Sequence, residues 1–158
     1  MYLLNTLLDE YRLPYMEKQQ ICEESVSIKN TEKLYEILNQ YFKLGKRSEE
    51  YVYMAALDSR LNVIGFFEIS HGTVNGSYFN NREIFMKALI AGAASIVLAH
   101  NHPSGDPTPS KEDLLTTRRI REAGALIGIE LLDHIIIGDN CYFSLREKGF
   151  FSQESANR

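Results

Sequence analysis

Cysteine is nearly absent. Cys22 and Cys141 are the only two in 158 residues, far apart and not in a C-x-x-C pair. They form no disulfide framework, suit a reducing compartment, and read most simply as small buried hydrophobes. Positive charge is short as well: 17 Lys and Arg stand against 21 Asp and Glu, for a net charge of -4. That balance disfavours a strongly basic nucleic-acid binder and a polybasic membrane-surface module. No apolar run approaches the ~20 residues of a membrane-spanning helix. Met1 leads into Tyr2-Leu3-Leu4 with no basic n-region and no small-residue cleavage site, so no secretory leader is expected and the cytoplasm is the expected location. What is present is ordinary for a folded domain, with 44% hydrophobic and 24% charged residues. A single domain of this size buries roughly 70% of its unfolded surface and needs no disulfide or structural metal to hold a core. Histidine and proline are scarce, at four each, and most of them crowd into one short stretch.

The spacing of Leu3, Leu4, Leu7, Leu8 and Tyr11 predicts a short amphipathic helix over residues 2 to 12, stopped by Pro14. Thr31 is expected to cap a second helix with Leu34, Ile37, Leu38 and Tyr41 on one face and Gly45 just past its end. Residues 1 to 45 are therefore read as a helical extension, 46 to 150 as the main domain and 151 to 158 as a frayed tail. Within the main domain, 50 to 57 and 63 to 69 read as strands of a hairpin around Asp58 to Asn62, and 71 to 80 as loop. A helix is expected from Asn81 to Gly92, a buried strand over 95 to 99, and a helix from Ser110 to Gly124. Residues 129 to 137 and 141 to 145 flank Gly138-Asp139-Asn140 as a second hairpin. The sum is an α/β or α+β fold, helices packed on one sheet.

The stretch SIVLAHNHPSGDPTPSKED carries the chemistry. His100 and His102 sit two apart at a strand end, so both imidazoles point to the same side. Pro103, Pro107 and Pro109, with Gly105 among them, stiffen the loop that follows. It leads to Ser110 and Asp113, which share a helix face. Two imidazoles and a carboxylate suit Zn²⁺, and three protein ligands leave a fourth position for water, the arrangement of a catalytic site. Zinc lowers the pKa of such a water to about 7, and a nearby carboxylate could act as its general base.

The spacing H-x-H-x7-S-x2-D resembles, position for position, the JAMM motif of the JAB/MPN metallopeptidase superfamily. Within it the chain resembles the RadC family, over roughly residues 21 to 150, through AHNHPSGDPTPSKED and GIELLDHIIIGDNCYFSLREKG. The resemblance implies a JAB/MPN, cytidine-deaminase-like α+β domain with one mixed sheet. It implies His100, His102 and Asp113 as metal ligands, Zn²⁺ as cofactor, and Ser110 as support for the oxyanion of amide hydrolysis. It also implies a catalytic glutamate at the start of the first core strand, where Glu50 stands. Glu49 would face the other side of that strand, and Glu68 and Glu83 fall on later elements. The implied activity is zinc-dependent hydrolysis of an amide or isopeptide bond in a protein or peptide substrate. Full-length RadC proteins carry an N-terminal helix-hairpin-helix region. Here only about 45 residues precede the core, with no hairpin glycine pattern, which reads as a short form and weakens inherited DNA binding.

Plainer readings stand beside these. Ser110-x-x-Asp113 is also a capping box, and an Asp113 engaged with metal is not expected to reach fully back to the N-cap amide. His134, inside LLDHIIIG, reads as a packed or hydrogen-bonded core residue outside the metal set, and His71 as a loop residue. Lys111, Arg118, Arg119 and Arg121 form a basic patch that is either a solvated helix face or a contact for an acidic substrate or nucleic acid. The leucines of residues 3 to 8 either pack on the chain's own core or join a homodimer. A competing function is a DNA-repair or mobile-element adaptor that works by binding. Nucleobase deamination is disfavoured, because its H-x-E and P-C-x-x-C signature is absent.

Overall fold

The computed structural model describes residues 1–23, 27–28, 30–72 and 80–152. In chain order these form β1 (Tyr2–Leu8), β2 (Pro14–Gln20), α1 (Thr31–Phe42), β3 (Glu50–Leu57), β4 (Val63–Gly72), α2 (Asn81–Ile90), β5 (Ser95–Asn101), α3 (Lys111–Ile127), β6 (Glu130–Ile137) and β7 (Tyr142–Ser144). The strands make one mixed sheet in the order β2-β1-β4-β3-β5-β6-β7. The β1–β4 and β5–β6 pairs are parallel and the others antiparallel.

Alternation along the central strands sorts the core into two layers. Tyr53, Ala55 and Leu57 of β3 join Val97 and Ala99 of β5 beneath Leu34, Ile37, Leu38 and Phe42 of α1. Met54 and Ala56 join Ile96 and Leu98 on the opposite face, beneath Ile84, Phe85 and Ala88 of α2 and Ile120 of α3. Strand β5 is buried along its whole length, as its continuous apolar run requires. The same alternation places His100 on the α3 face and Asn101 on the α1 face.

Residues 2 to 12 are not a helix. They are β1 and the turn that pairs it, residue by residue, with β2. The apolar pairs Leu3-Leu4 and Leu7-Leu8 satisfy a helical stripe, but tertiary pairing overrides that period. Leu3 pairs with Phe66 of β4, and Leu4 packs so close over Gly65 that a Cβ there would lie 2.6 Å from Leu4 Cγ. Asp9 closes the turn, its Oδ1 accepting the N–H groups of Tyr11 and Leu13 at 2.9 and 2.8 Å. Pro14 does not stop a helix; it opens an edge strand, where a missing N–H is tolerated. Leu4 is buried in the chain's own core, while Leu7 and Leu8 are exposed.

Smaller corrections follow the same physics. Asn30, not Thr31, caps α1, accepting the Lys33 N–H; Thr31 is the first helical residue and is buried. The chain leaves α1 at Lys43, in a left-handed conformation (φ 53°) that the sequence marks with no glycine. His71 is the penultimate residue of β4 and does not sit in a loop, with Nδ1 2.7 Å from Glu68 Oε1. The loop expected over 71 to 80 otherwise falls on 73–79, and the frayed tail largely on 153–158, outside the described residues. Among the described residues no helix is long and apolar enough to cross a membrane.

Candidate metal centre

Strand β5 runs two residues further than its apolar run, through Asn101. His100 is therefore a strand residue with no exposed surface. His102 lies one step beyond, but its N–H still donates to the Ile137 carbonyl at 2.9 Å, which keeps it in line beside β6. Both imidazoles face α3, and their Nε2 atoms are 3.1 Å apart.

The proline loop is held down at its centre. Gly105 adopts φ +84°, donates its N–H to the His102 carbonyl and accepts the Asp139 N–H, each at 2.9 Å. The close approach needs Gly138, where a Cβ would lie 2.2 Å from the Gly105 carbonyl oxygen and 2.9 Å from Pro107 Cδ. The seated loop presents the Asp106 carbonyl to His102 Nδ1 at 2.8 Å. A carbonyl only accepts, so in the neutral ring the His102 proton sits on Nδ1 and Nε2 carries the lone pair.

Ser110 then caps α3. Its Oγ accepts the Asp113 N–H at 3.1 Å, and its own N–H reaches Asp113 Oδ2 at 2.7 Å. The full capping box forms and Asp113 still faces the histidines. A carboxylate has two oxygens and several lone pairs, so the cap leaves Asp113 lone pairs directed at the histidines. Oδ2 also accepts the Ser110 hydroxyl at 2.7 Å, while Oδ1 lies 3.2 Å from His100 Nε2 and Oδ2 lies 3.5 Å from His102 Nε2. Burial opposes the charge on Asp113, but hydrogen bonds with His100, His102 and Ser110 outweigh it and hold the carboxyl far below the usual carboxylate range. The bond to Asp113 raises the pKa of His102 against the opposing effect of burial.

One ligand atom from each of His100, His102 and Asp113 lies within 4.8 Å of the others, a group that could hold a metal ion. A tetrahedral ion with bonds of about 2.0–2.1 Å separates its ligands by roughly 3.3–3.4 Å; the two imidazole nitrogens here are 3.1 Å apart, and they lie 3.2 and 3.5 Å from the two different oxygens of Asp113.

Glu50 opens β3, as expected. Val52 pairs with His100 in the antiparallel register, so Glu50, two residues earlier, shares the face of His100 and His102. Its charge helps raise the pKa of His102. Asn101, between the two histidines but on the opposite face, fixes the backbone on both sides of Glu50. Its Oδ1 accepts the Tyr51 N–H at 2.8 Å and its Nδ2 donates to the Glu49 carbonyl at 3.0 Å. Glu68 is engaged by the Tyr53 hydroxyl and His71, and Glu83 lies 3.6 Å from Arg82 on α2.

His134 is a hydrogen-bonded core residue, as expected, but its partner was not foreseen: its Nε2 is 2.8 Å from His100 Nδ1. A β-bulge explains this. The register slips between Ile96 and Val97, so Leu131 faces Ile96 and Asp133 faces Val97, with Leu132 as the extra residue. The slip turns His134 toward α3 and Asp133 toward α1. In the basic patch, Arg118 pairs with Glu122 at 3.0 Å, and Arg121 lies over the Phe151 ring and donates to its carbonyl at 3.2 Å.

A profile of the RadC-like JAB domain matches residues 28–150. The chain belongs to the RadC-like JAB domain family. Relatives agree with this. A UPF0758 protein of Alkaliphilus metalliredigens is 52% identical over 100 residues, 63% of this chain and 43% of that protein. One of Shouchella clausii is 48% identical over 108 residues, covering 68% and 46% of the two chains. One of Thermotoga maritima is 42% identical over 125 residues, covering 75% and 56%. The aligned part of this RadC-like chain thus spans about half the length of the curated relatives it matches. The β1–β2 hairpin precedes the matched region.

Proposed function

We propose that this RadC-like JAB domain is a zinc-dependent hydrolase of an amide or isopeptide bond in a protein or peptide substrate. The observation that carries the reading is the convergence of two imidazole nitrogens and a charged carboxylate, with one ligand atom of each residue within 4.8 Å of the others. Two nitrogens and an oxygen are a donor set that suits Zn²⁺, which when bound supplies Lewis acidity and an acidified water.

The chain's own residues do the rest. His100 and His102 bind through Nε2, and Asp113 brings the negative charge that offsets the ion. Glu50, on the same face, takes the proton from the attacking water and passes it to the leaving amine. Ser110 orients Asp113 through its hydroxyl and N–H. To steady an oxyanion as well, its hydroxyl must turn from Asp113 to the substrate.

The test is metal content. Protein purified without added metal or chelator is expected to carry near-stoichiometric zinc, and His102→Ala to lose it. Wild-type protein without zinc overturns the reading. Salt-dependent DNA binding that survives Asp113→Ala favours the adaptor alternative.

A further inference from the structure

A histidine offers a metal only a nitrogen that carries no proton, and a neutral imidazole can protonate either one. For His102 the Asp106 carbonyl makes the choice. At His100 the facing group is another imidazole: Nδ1 of His100 is 2.8 Å from Nε2 of His134, and either could be the donor. The ambiguity resolves one step deeper. Thr117 Oγ1 lies 2.6 Å from the Asp113 backbone carbonyl and 2.6 Å from His134 Nδ1. The carbonyl cannot donate, so it takes the one hydroxyl proton. Thr117 Oγ1 must then accept from His134 Nδ1–H. His134 has no exposed surface, and a buried cationic imidazole is strongly disfavoured, so its Nε2 is bare and accepts from His100 Nδ1–H. In the neutral ring Nε2 of His100 is then left as the lone pair, facing Asp113 and His102.

We propose that Thr117 and His134 are positioning residues that fix the tautomer of His100 and thereby set the metal affinity of the site. The relay starts on the backbone carbonyl of Asp113, through the bond of a helical threonine to the residue four before it. It ends on the ring of His100, so two ligands are tied together by one directional chain of hydrogen bonds. Outer partners of this kind orient ligands and raise their basicity. The inference rests on the zinc reading above.

The plain alternative is that Thr117 and His134 merely satisfy each other's buried polar groups. Two substitution pairs separate the cases. Thr117→Val removes the acceptor at nearly constant shape, and Thr117→Ser keeps it. His134→Leu removes the relay, and His134→Gln can donate to Thr117 and accept from His100. Zinc affinity of the full chain is measured by competition with a chromophoric chelator. Nitrogen NMR of the metal-free protein reads the His100 tautomer, and melting in chelator reads the fold. The expected result is a roughly 10–100-fold loss of affinity in Thr117→Val and His134→Leu, with Thr117→Ser and His134→Gln close to wild type. Metal-free wild type should show His100 protonated on Nδ1, and Thr117→Val a mixture. Equal zinc affinity in wild type and Thr117→Val, or His100 protonated on Nε2 in wild type, overturns this inference alone. Wild-type protein that binds no zinc overturns the metal reading and this inference together.

Discussion

Two buried polar clusters lie on opposite faces of the same sheet, one around Asp133 and one around Asp113. Asp133, on the α1 face, is met by donors on every side. Its Oδ2 accepts the Ser144 and Thr31 hydroxyls at 2.6 and 3.2 Å, and its Oδ1 accepts the N–H groups of His134 and Arg146 at 2.8 and 3.0 Å. Those contacts tie α1, β6 and β7 together. Burial still pushes its pKa up, because the hydrogen bonds only partly offset desolvation. The Asp113 cluster is built differently. Asp113 Oδ1 faces His100 Nε2, and Nε2 of His102 is beside them, so with both imidazoles neutral, acceptors converge on acceptors. A cluster whose donors and acceptors match is a structural tie; one whose lone pairs converge calls for a cation.

The same isosteric substitution in each cluster breaks this comparison most sharply. Asp113→Asn is expected to have the largest effect on metal, costing more affinity than the ~10–100-fold typical of an outer partner. At a pH above the folded pKa of His102 it should not lower the melting temperature of the metal-free chain, because the new amide can donate to His100. Metal titration followed by calorimetry checks both. Asp133→Asn is the converse. It turns an N–H₂ toward hydroxyl and amide donors, and denaturant unfolding should show a loss of about 2–3 kcal/mol. Zinc bound per folded molecule should be unchanged.

Gly138→Ala probes the seat of the proline loop. The added methyl meets the Gly105 carbonyl and Pro107, so the loop must shift, at about 1–3 kcal/mol. Zinc affinity should fall with it, because the Asp106 carbonyl moves away from His102. The smallest effect is on pH dependence. The folded pKa of His102 is raised, so in metal-free protein its pairing with Asp113 contributes stability that is complete below about pH 6.5 and is lost as pH rises through the higher folded value. Zinc competes with that proton, so the melting temperature gained on adding zinc should grow over the same interval. Melting curves at several pH values, with and without zinc, check the opposite signs.

The metal-facing residues were legible because they lie close along the chain: a strand end, a stiff loop and a capped helix start bring His100, His102 and Asp113 together with little help from elsewhere. The strands of the β3–β4 hairpin and β6 could be read for the same reason, from local period and turn residues. Residues 2 to 8 could not. Their leucine pairs fit a helix as well as a strand, and the partner that decides is Phe66 on β4, far along the sequence. His134 was legible as a buried polar residue in need of a partner. Its partner depends on the bulge at Leu132, which leaves no local mark in a run of aliphatic residues.

The central claim is that His100, His102 and Asp113 jointly hold a metal ion, and anomalous diffraction at the zinc edge from crystals of the zinc-loaded chain tests it most directly. The account predicts one strong peak equidistant, at about 2 Å, from Nε2 of His100, Nε2 of His102 and a carboxylate oxygen of Asp113. A zinc-loaded crystal with no peak there, or with its peak on other side chains, would contradict it.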